Sequence, residues 1–419
     1  MPLSDIARAV EDLFHRDTVP VLKRQGWRPR VIPYDGYGTS APAQSESSAP
    51  ADPPRPPSTQ ARRTNQTRTG AVGRSGTASS SRQASPPTSM ARVLARMVMR
   101  PQNAPAEGPL FRSLPASLPV SPAQARDFAM TGLLDAQRGW RLFIEVPVAF
   151  LPVTVHVGRA SVRTRADRSG YIDVVVRDHG LEPGWHEARI EAAGAEAVAA
   201  KVLIIPEGPR LGIISDIDDT AMVTHVPRVL VAAWNQLVKY SSAREPVPGM
   251  AELYSRIQAA HPGTPMMYLS TGAWNVVPTL RSFFSRHGFP SGPALMTDWG
   301  PTNTGWFRSG IEHKRTELRR LMIDLPQITW ILFGDDGQHD PHIYGEAARH
   351  HADRIAAVAI RRLTATQQVL AGGLTAHPMG IGPEARTLAE ADVPVVVGAD
   401  GYELARLLPR ELLETSPHR

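Results

Sequence analysis

The C-terminal half of the chain alternates short apolar runs with longer stretches of helical spacing. The apolar runs are residues 211–214, 266–269, 328–333, 355–360 and 393–397. The stretches that favour helices are residues 229–240, 250–260, 275–287, 314–323 and 344–351. Strands that alternate with helices predict a parallel sheet with helices on both faces. Ligands bind such sheets beyond the carboxyl ends of the strands, so the polar residues at those ends are the first candidates for a site.

Residues 89–206 follow a different pattern, in which apolar and polar positions alternate with a period of two. Segments such as RLFIEVPVAF and VTVHVG are separated by Gly, Asp and Pro, and residues 167–170 are predicted to form a turn between two alternating runs. Several short strands with turn residues between them predict an all-β, sandwich-like domain. It contains no clustered carboxylates or histidines that would indicate a second active site.

Residues 1–38 are predicted to form a short amphipathic helix and a lead-in segment. Ser4 can cap the helix, and Ile6, Val10 and Leu13 share one of its faces. Docking of this face on the body of the protein is favoured over a membrane-surface helix. The reason is that the polar face mixes acids with arginines, whereas interfacial helices favour Lys and Arg.

Residues 39–88 consist mainly of Ser, Pro, Ala, Arg and Gly, and Val72 is the one large apolar residue. Such a segment cannot bury enough surface to offset its ordering entropy, so we predict that it is disordered. It is either an inert linker or an electrostatic tether to an anionic surface. The predicted organisation is therefore a lead-in (1–38), this insert (39–88), a β domain (89–206) and an α/β domain (207–419).

Composition narrows the possible chemistry. The chain has 419 residues and no Cys, which excludes disulfides, thiolate zinc sites and cysteine nucleophiles. The insert carries six Arg against two acids, so most of the formal charge of +6 lies there and nucleic acid is not an expected partner. No secretory leader is expected at the N-terminus, and no run of about 18 apolar residues predicts a membrane span. We expect a cytoplasmic protein with at most peripheral membrane contact.

Four polar groups follow the predicted strands or open the predicted helices. They are Asp216, Asp218 and Thr220 in SDIDDT; Ser270 and Thr271 in YLSTG; Lys314 in EHKRTELRRL; and Asp335, Asp336 and Asp340 in FGDDGQHD. An acidic turn or a single Lys is common on protein surfaces, but the four groups together, in this order, favour one site. Acids from the first and last groups can share Mg²⁺, which prefers carboxylates together with waters and phosphate oxygens.

This set of residue types suits phosphoryl transfer, which depends on positioning and on charge stabilisation. An aspartate can attack phosphorus and form an aspartyl-phosphate. A second carboxyl group two residues later can protonate the leaving oxygen and then deprotonate water. A Lys, a hydroxyl group and a metal would stabilise the phosphoryl oxygens.

The same four motifs resemble those of the haloacid dehalogenase superfamily of phosphatases. The surrounding sequences GIISDIDDT, STGAWN, LMTDWG and FGDDGQHDPHIYGEAARHH are similar to the catalytic domain of the actin-patch phosphatidate phosphatase family and its bacterial relatives. RPRVIPYDGYG and ARVLARMVM also resemble the lead-in of that family to its β domain. The resemblance implies an α/β fold with a Rossmann-like parallel sheet of the haloacid dehalogenase type and a minimal cap, preceded by the all-β domain.

The resemblance also assigns roles. It implies that Asp216 is the nucleophile and a metal ligand, that Asp218 is the general acid and base, and that Ser270 and Lys314 act on the phosphoryl group. The implied phosphate-binding residues are Thr220, Ser270, Thr271 and Lys314. The implied Mg²⁺ ligands are Asp216, Asp218, Asp335 and Asp340.

Two departures from the family pattern leave questions open. Relatives usually carry Ser at the position of Asp336, so this acid either enlarges the metal site or faces solvent. Relatives also tend to read Ser-Ser-Pro-Trp-Asn where this chain has residues 270–275, which leaves open whether Ser270 or Thr271 contacts phosphate.

The resulting prediction is a Mg²⁺-dependent phosphatase, with phosphatidate as the favoured substrate. The alternative within enzymes is a phosphatase for another phosphomonoester, such as a nucleic-acid end, a protein or a metabolite. The alternative from another class is a non-catalytic protein that binds a lipid or a partner through the same fold.

Overall fold

The computed structural model describes residues 22–24, 26–40, 89–101, 146–223, 245–297, 310–337, 339–364, 366–367 and 392–415. The predicted N-terminal helix, residues 41–88 of the insert and the predicted helix 229–240 lie outside these ranges. Among the described residues, no helix is long and apolar enough to cross a membrane.

The N-terminal strands form one hydrogen-bonded sheet, here called sheet 1. Its nine strands are β1 (Trp27–Pro33), β2 (Gly36–Thr39), β3 (Met90–Pro101), β4 (Val146–Pro147), β5 (Pro152–Val157), β6 (Ala160–Arg165), β7 (Tyr171–Arg177), β8 (Gly184–Ala192) and β9 (Val198–Ile205). The order is β1-β3-β2-β9-β8-β5-β6, and β4 and β7 also pair with β3. Among the described residues of 89–206 the predicted β structure is confirmed as one large hydrogen-bonded sheet, whose strands are joined by the long β3, and the sandwich-like packing stays a prediction.

Sheet 1 includes strands from both sides of the insert. Thr39, the last residue of β2, pairs with Met90, the first residue of β3. The chain therefore leaves and re-enters the sheet at neighbouring positions. The lead-in segment contributes β1 and β2 to sheet 1, although the sequence pattern placed them apart from the β domain.

The C-terminal strands form a second, fully parallel sheet, here called sheet 2. Its strands are β10 (Arg210–Ser215), β11 (Met266–Ala273), β12 (Ala294–Thr297), β13 (Ile328–Asp335), β14 (Ile355–Arg361) and β15 (Val395–Gly398). The helices of this part are α1 (Met250–Ala260), α2 (Val277–Arg286), α3 (Gly310–Asp324), α4 (Asp340–His350) and α5 (Gly401–Leu407). The predicted parallel α/β sheet is confirmed.

The strand order of sheet 2 indicates where a ligand-binding site is expected. The order is β12-β11-β10-β13-β14-β15, so the chain runs from β10 to one edge and then returns beside β10 to build the other half. The order reverses between β10 and β13, and ligands of open parallel sheets bind at this point, beyond the carboxyl ends of the strands. Asp216 follows β10, and Asp335 ends β13.

Burial in sheet 2 follows from its sequence. The central strands carry Ile213, Ile214, Ile331 and Leu332, all fully buried, because helices cover both faces. Strand β12 is buried as well, but the sequence pattern did not predict it. Its four residues follow the Pro- and Gly-rich segment FPSGP and are too few to show a period.

Candidate active site

The turn after β10 positions Asp216. Its backbone N–H donates to the carbonyl of Phe333 at 2.9 Å, which extends the pairing of β10 with β13 by one residue. The hydroxyl of Ser215 donates to the carbonyl of Asp216 at 2.6 Å and also lies 2.7 Å from the hydroxyl of Tyr254 on α1. The main chain of Asp216 is thus held from the strand and from a helix.

The same turn contains a residue in the left-handed region. Asp219 has a φ of 59°, a conformation in which Asp is among the better tolerated residues. Its N–H donates to the carbonyl of Met222 at 2.7 Å, and its carbonyl accepts a hydrogen bond of 2.6 Å from Nη1 of Arg361 at the end of β14. These contacts hold the tight bend that separates Asp216 from Thr220.

Three carboxylates meet at the switch point. Asp216, Asp335 and Asp340, here called the acidic triad, each offer an oxygen within 4.8 Å of the others, and all three are almost completely buried. Asp335 ends β13, and Asp340 is the first residue of α4. Three predicted metal ligands are therefore brought together by a strand end and a helix start that are distant in sequence from β10.

Local geometry explains why Asp340 reaches the triad. A Cβ atom added to Gly334 would lie 2.7 Å from the Cβ and Oδ2 atoms of Asp340, so only Gly permits this approach. The N–H of Gly337 donates to Oδ1 of Asp335 at 2.8 Å and fixes that carboxylate.

Lys314 on α3 supplies the positive charge at the triad. Its Nζ lies 2.8 Å from Oδ1 of Asp216 and 2.5 Å from Oδ1 of Asp340, and its side chain is 2% exposed. Burial by itself would lower the pKa of this amine, but Asp216, Asp340 and Asp335 outweigh burial and raise it. Lys314 is therefore an ammonium group held by two carboxylates.

The triad carries more negative charge than Lys314 can offset. Burial raises the pKa of Asp216 to about 7, and the carboxylates of Asp340 and Asp218 act in the same direction, whereas Lys314 opposes them. A buried cluster of carboxylate oxygens with a surplus of negative charge is the donor set that hard divalent cations prefer. The acidic triad is suited to hold a metal ion.

The raised pKa of Asp216 predicts a pH-dependent metal affinity. A divalent cation must displace the proton of Asp216, so below pH 7 we expect the apparent affinity to fall by up to about tenfold per pH unit. Calorimetric titration of the protein with Mg²⁺ between pH 5.5 and 8.5 measures this, and the affinity should level off above pH 7. An affinity that is constant over this range would contradict the assignment of Asp216 as a ligand.

The raised pKa of Asp216 also makes the stability of the metal-free fold depend on pH. In the metal-free fold Asp216 keeps a proton that the unfolded chain releases near its ordinary pKa of 3.8. The stabilisation from this group is therefore complete below about pH 4 and is lost as the pH rises through 7. Bound metal should reverse that loss, because it prefers the ionised form.

The remaining predicted residues surround Asp216. Oδ2 of Asp218 accepts a hydrogen bond of 3.4 Å from the hydroxyl of Ser270, and the hydroxyl of Thr220 donates to Oδ2 of Asp216 at 3.5 Å. The N–H of Gly272 donates to the Ser270 oxygen at 2.9 Å. Asp218 lies outside the acidic triad, so its part in metal binding stays a prediction.

Ser270 and Thr271 occupy different places. Ser270 is buried against Asp218, whereas the methyl group of Thr271 lies 2.7 Å from the position that a Cβ on Gly310 would take. Thr271 thus packs over the first residue of α3. The Ser270 hydroxyl therefore lies against Asp218, whereas the Thr271 methyl group lies against the start of α3.

Asp336 serves a neighbouring loop. Its Oδ1 accepts a hydrogen bond of 2.8 Å from the N–H of Leu363, and its own N–H donates to the carbonyl of Arg361 at 3.0 Å. The acid that departs from the family pattern therefore ties β13 to the segment after β14 and is not a member of the triad.

Sequence reasoning missed two residues that shape the site, Tyr254 and Arg361. Arg361 directly follows the predicted strand 355–360, so the rule that led to the aspartates applies to it as well. Tyr254 lies within the apolar spacing of α1, and nothing in the sequence separates it from an ordinary core residue. The predicted minimal cap falls mostly on residues 224–244, outside the described ranges.

Residues 211–362 match the family model described as phosphatidate phosphatase APP1, catalytic domain, which is less than half of the chain. No curated protein matches the chain. A crystal structure titled as a HAD-like phosphatase from Mesorhizobium loti is 13% identical, with 46% of this chain and 94% of that chain covered and a TM-score of 0.28. A carbohydrate acetylesterase from Xanthomonas citri is 11% identical, with 60% and 63% covered and a TM-score of 0.24.

The two structural similarities are too low to support a conclusion. The site is therefore interpreted from the family match and from its own geometry. The matched range begins in β10 and ends just after β14, and it contains the acidic triad, Ser270 and Lys314. Residues 211–362 are therefore similar to the catalytic domain of the phosphatidate phosphatase APP1 family, which is a family of phosphoric monoester hydrolases.

Proposed function

We propose that this protein is a Mg²⁺-dependent phosphatase that hydrolyses phosphatidate through an aspartyl-phosphate intermediate, on a fold of the haloacid dehalogenase type. The observation that carries the proposal is the buried acidic triad with Lys314 in direct contact, at the switch point of a parallel sheet. Phosphatidate as the substrate rests on the family match, and nothing in the described geometry favours another phosphomonoester.

The donor set fits the proposed metal. The triad offers carboxylate oxygens, and it includes no histidine or other nitrogen ligand, which suits Mg²⁺ better than transition metals. Asp216, Asp335 and Asp340 would hold the ion. When bound, Mg²⁺ would neutralise charge on the phosphoryl group and favour the ionised form of Asp216.

In the first step, the carboxylate of Asp216 attacks phosphorus, and an Oδ–P bond forms as the P–O bond to the glycerol oxygen breaks. Asp218 gives its proton to that oxygen, so the leaving group departs as an alcohol rather than as an alkoxide. Lys314, which contacts Asp216, and the Ser270 hydroxyl, which contacts Asp218, would donate hydrogen bonds to the non-bridging oxygens while negative charge builds up there.

In the second step, Asp218 accepts a proton from a water molecule as the water oxygen attacks phosphorus. The bond between phosphorus and Asp216 breaks, inorganic phosphate is released, and both aspartates return to their starting states. The contact between the Ser270 hydroxyl and Asp218 would hold the acid and base next to the phosphoryl group.

Replacing Asp218 by Asn tests its role as proton carrier. We expect kcat to fall by about 10²–10⁴-fold while KM changes little, because proton transfer acts in the transition state. Steady-state kinetics with a soluble phosphomonoester measure both constants. Asp336→Asn is a matched control because its carboxylate binds the Leu363 N–H, and it should stay close to wild type. Equal damage to KM and kcat in Asp218→Asn would instead indicate a binding residue.

Substrate class is decided by phosphate release from a panel of phosphomonoesters. The panel contains phosphatidate in mixed micelles, a soluble aryl phosphate, a nucleotide, a phosphopeptide and a sugar phosphate. We expect the highest kcat/KM for phosphatidate. A higher kcat/KM for another compound of the panel would reject phosphatidate as the substrate but keep the phosphatase activity. If phosphate is released from none of the compounds, the non-catalytic alternative is supported.

The proposed cellular place follows from the substrate. A lipid phosphate lies in a membrane, so we propose that the protein works in the cytoplasm with peripheral membrane contact. The Arg-rich insert, which leaves and re-enters sheet 1 next to the paired residues Thr39 and Met90, is either an inert linker or the point of electrostatic attraction to the membrane.

A further inference from the structure

Helix α3, which carries Lys314 near its start, is anchored to sheet 1 at its other end. Asp324, the last residue of α3, accepts hydrogen bonds from the hydroxyl of Tyr37 at 2.8 Å and from Nη1 of Arg92 at 3.2 Å. Arg92 also donates through Nε to Oδ1 of Asp173 at 2.6 Å, and its other Nη contacts the second oxygen of the same carboxylate. Tyr37, Arg92 and Asp173 lie on the adjoining strands β2, β3 and β7.

These contacts are partly shielded from water, because Arg92 is buried whereas the side chain of Asp173 is 38% exposed. The side chain of Arg92 is 5% exposed and that of Asp324 is 18% exposed, and Tyr37 is fully buried. The guanidinium of Arg92 donates two hydrogen bonds to Asp173 and one to Asp324, through three different nitrogens. This arrangement has a fixed geometry, which the single ammonium group of Lys could not reproduce. The anchor, formed by Tyr37, Arg92, Asp173 and Asp324, therefore has a fixed geometry around a buried guanidinium group.

The position of Asp324 needs an explanation that helix physics does not give. A negative charge at the C-terminal end of a helix opposes the helix dipole and is locally unfavourable. The ion pair with Arg92 and the hydrogen bond from Tyr37 compensate for it. Asp324 is thus an attachment point rather than an ordinary helix-ending residue.

The anchor is connected to the site through one continuous helix. Lys314 and Glu317 lie one turn apart on the buried side of α3, and Glu317 pairs with Arg320 at 2.5 Å. Arg320 in turn lies 3.4 Å from Asp173, the residue gripped by Arg92. A shift of α3 along its axis would move Lys314 relative to Asp216 and Asp340, which it contacts at hydrogen-bonding distance.

From this geometry we infer that Arg92 of sheet 1 is a positioning residue of the catalytic site, which fixes the register of α3 and so holds Lys314 between Asp216 and Asp340. Sheet 1 is then part of the catalytic machinery through its support of this helix. The inference rests on the proposed function for the kinetic role of Lys314, but its geometric content can be measured without turnover.

The test compares Arg92→Met with Arg281→Met in the full chain. Arg281 on α2 forms an ion pair of 2.9 Å with Asp35 in the turn between β1 and β2, so it also connects sheet 1 to a helix of the α/β domain, but this ion pair does not involve α3. We expect Arg92→Met to lower kcat by about tenfold or more with KM within about twofold of wild type. Arg281→Met should leave both constants close to wild type. The assays are run well below the melting temperature of each variant.

Metal binding gives a second readout that does not depend on activity. We expect the Mg²⁺ dissociation constant of Arg92→Met to differ from that of wild type by about threefold or more. In a protein that already carries Lys314→Met, adding Arg92→Met should leave the Mg²⁺ dissociation constant unchanged, because Arg92 acts through Lys314. If Arg92→Met does not fold, Tyr37→Phe and Asp324→Asn each remove one contact of the anchor and should show the same pattern at smaller size.

The outcomes separate this inference from the proposed function. The wild-type protein could be inactive while its Mg²⁺ affinity still depends on Arg92, and only when Lys314 is present. That result would overturn the proposed phosphatase activity and keep the positioning role of Arg92. An active wild type in which Arg92→Met and Arg281→Met behave alike would overturn the positioning role and keep the phosphatase. Equal effects of Arg92→Met with and without Lys314 would also overturn it.

Discussion

Replacing Asp216 by Asn will abolish phosphate release while leaving the fold intact. Asn keeps the shape of the side chain but is not a nucleophile, and loss of a nucleophile that forms a covalent intermediate lowers kcat by at least about 10⁴-fold. The amide oxygen can still accept a hydrogen bond from Lys314, which wild-type Asp216 contacts at 2.8 Å.

The stability of this variant should change little. The pKa of Asp216 is raised to about 7, so a neutral side chain is close to the state that the metal-free protein already adopts at neutral pH. Thermal unfolding in chelator and phosphate release in excess Mg²⁺ are measured on the same preparation. Asp353→Asn, an exposed acid of the turn before β14, is the matched control. Retention of substantial activity by Asp216→Asn would rule out the covalent mechanism.

Replacing Lys314 by Met should cost both activity and stability. The variant leaves the buried carboxylates of Asp216 and Asp340 without the ammonium group that contacts both, and breaking such a buried ion pair typically costs about 3–5 kcal/mol. We also expect kcat to fall by about 10²-fold or more, because the charge on the phosphoryl oxygens would lose a hydrogen-bond donor.

Denaturant unfolding at pH 5.5 and pH 8 checks the origin of the stability loss. Protonation of Asp216 relieves the excess negative charge, so the loss should be smaller at pH 5.5. Added Mg²⁺ should restore part of the stability at pH 8. Lys201→Met on β9 removes an exposed ammonium and is the control. A loss of stability that is the same at both pH values and insensitive to Mg²⁺ would contradict the charge-balancing role of Lys314.

The elements that were predicted best from the sequence are those that leave a pattern in their own residues. The strands 211–214, 266–269, 328–333 and 355–360 correspond to β10, β11, β13 and β14, because burial on both faces demands continuous apolar residues. The strand-end rule then led to Asp216, Asp335 and Asp340, which the fold does bring together. Helix α4 begins at Asp340 rather than at residue 344, because Pro341 favours the first turn of a helix.

The features that the sequence did not reveal depend on contacts between distant segments. Tyr37 and Asp324 are separated by 287 positions, and no local pattern indicates that they share a hydrogen bond. The pairing of β2 with β3 across the insert is hidden for the same reason, since low-complexity sequence between two strands carries no register information. Arg92 reads as one polar position in an alternating strand until Asp324 is placed beside it.

If the acidic triad holds Mg²⁺ and the protein hydrolyses phosphatidate, as proposed, then turnover of this lipid must depend on the metal. The most direct measurement is phosphate release from phosphatidate in mixed micelles by the purified full chain, first in excess chelator and then after Mg²⁺ is added in excess of the chelator. We expect no release above background in chelator and full recovery on addition of Mg²⁺. Undiminished release in excess chelator, or none after Mg²⁺ is restored, would contradict the proposal.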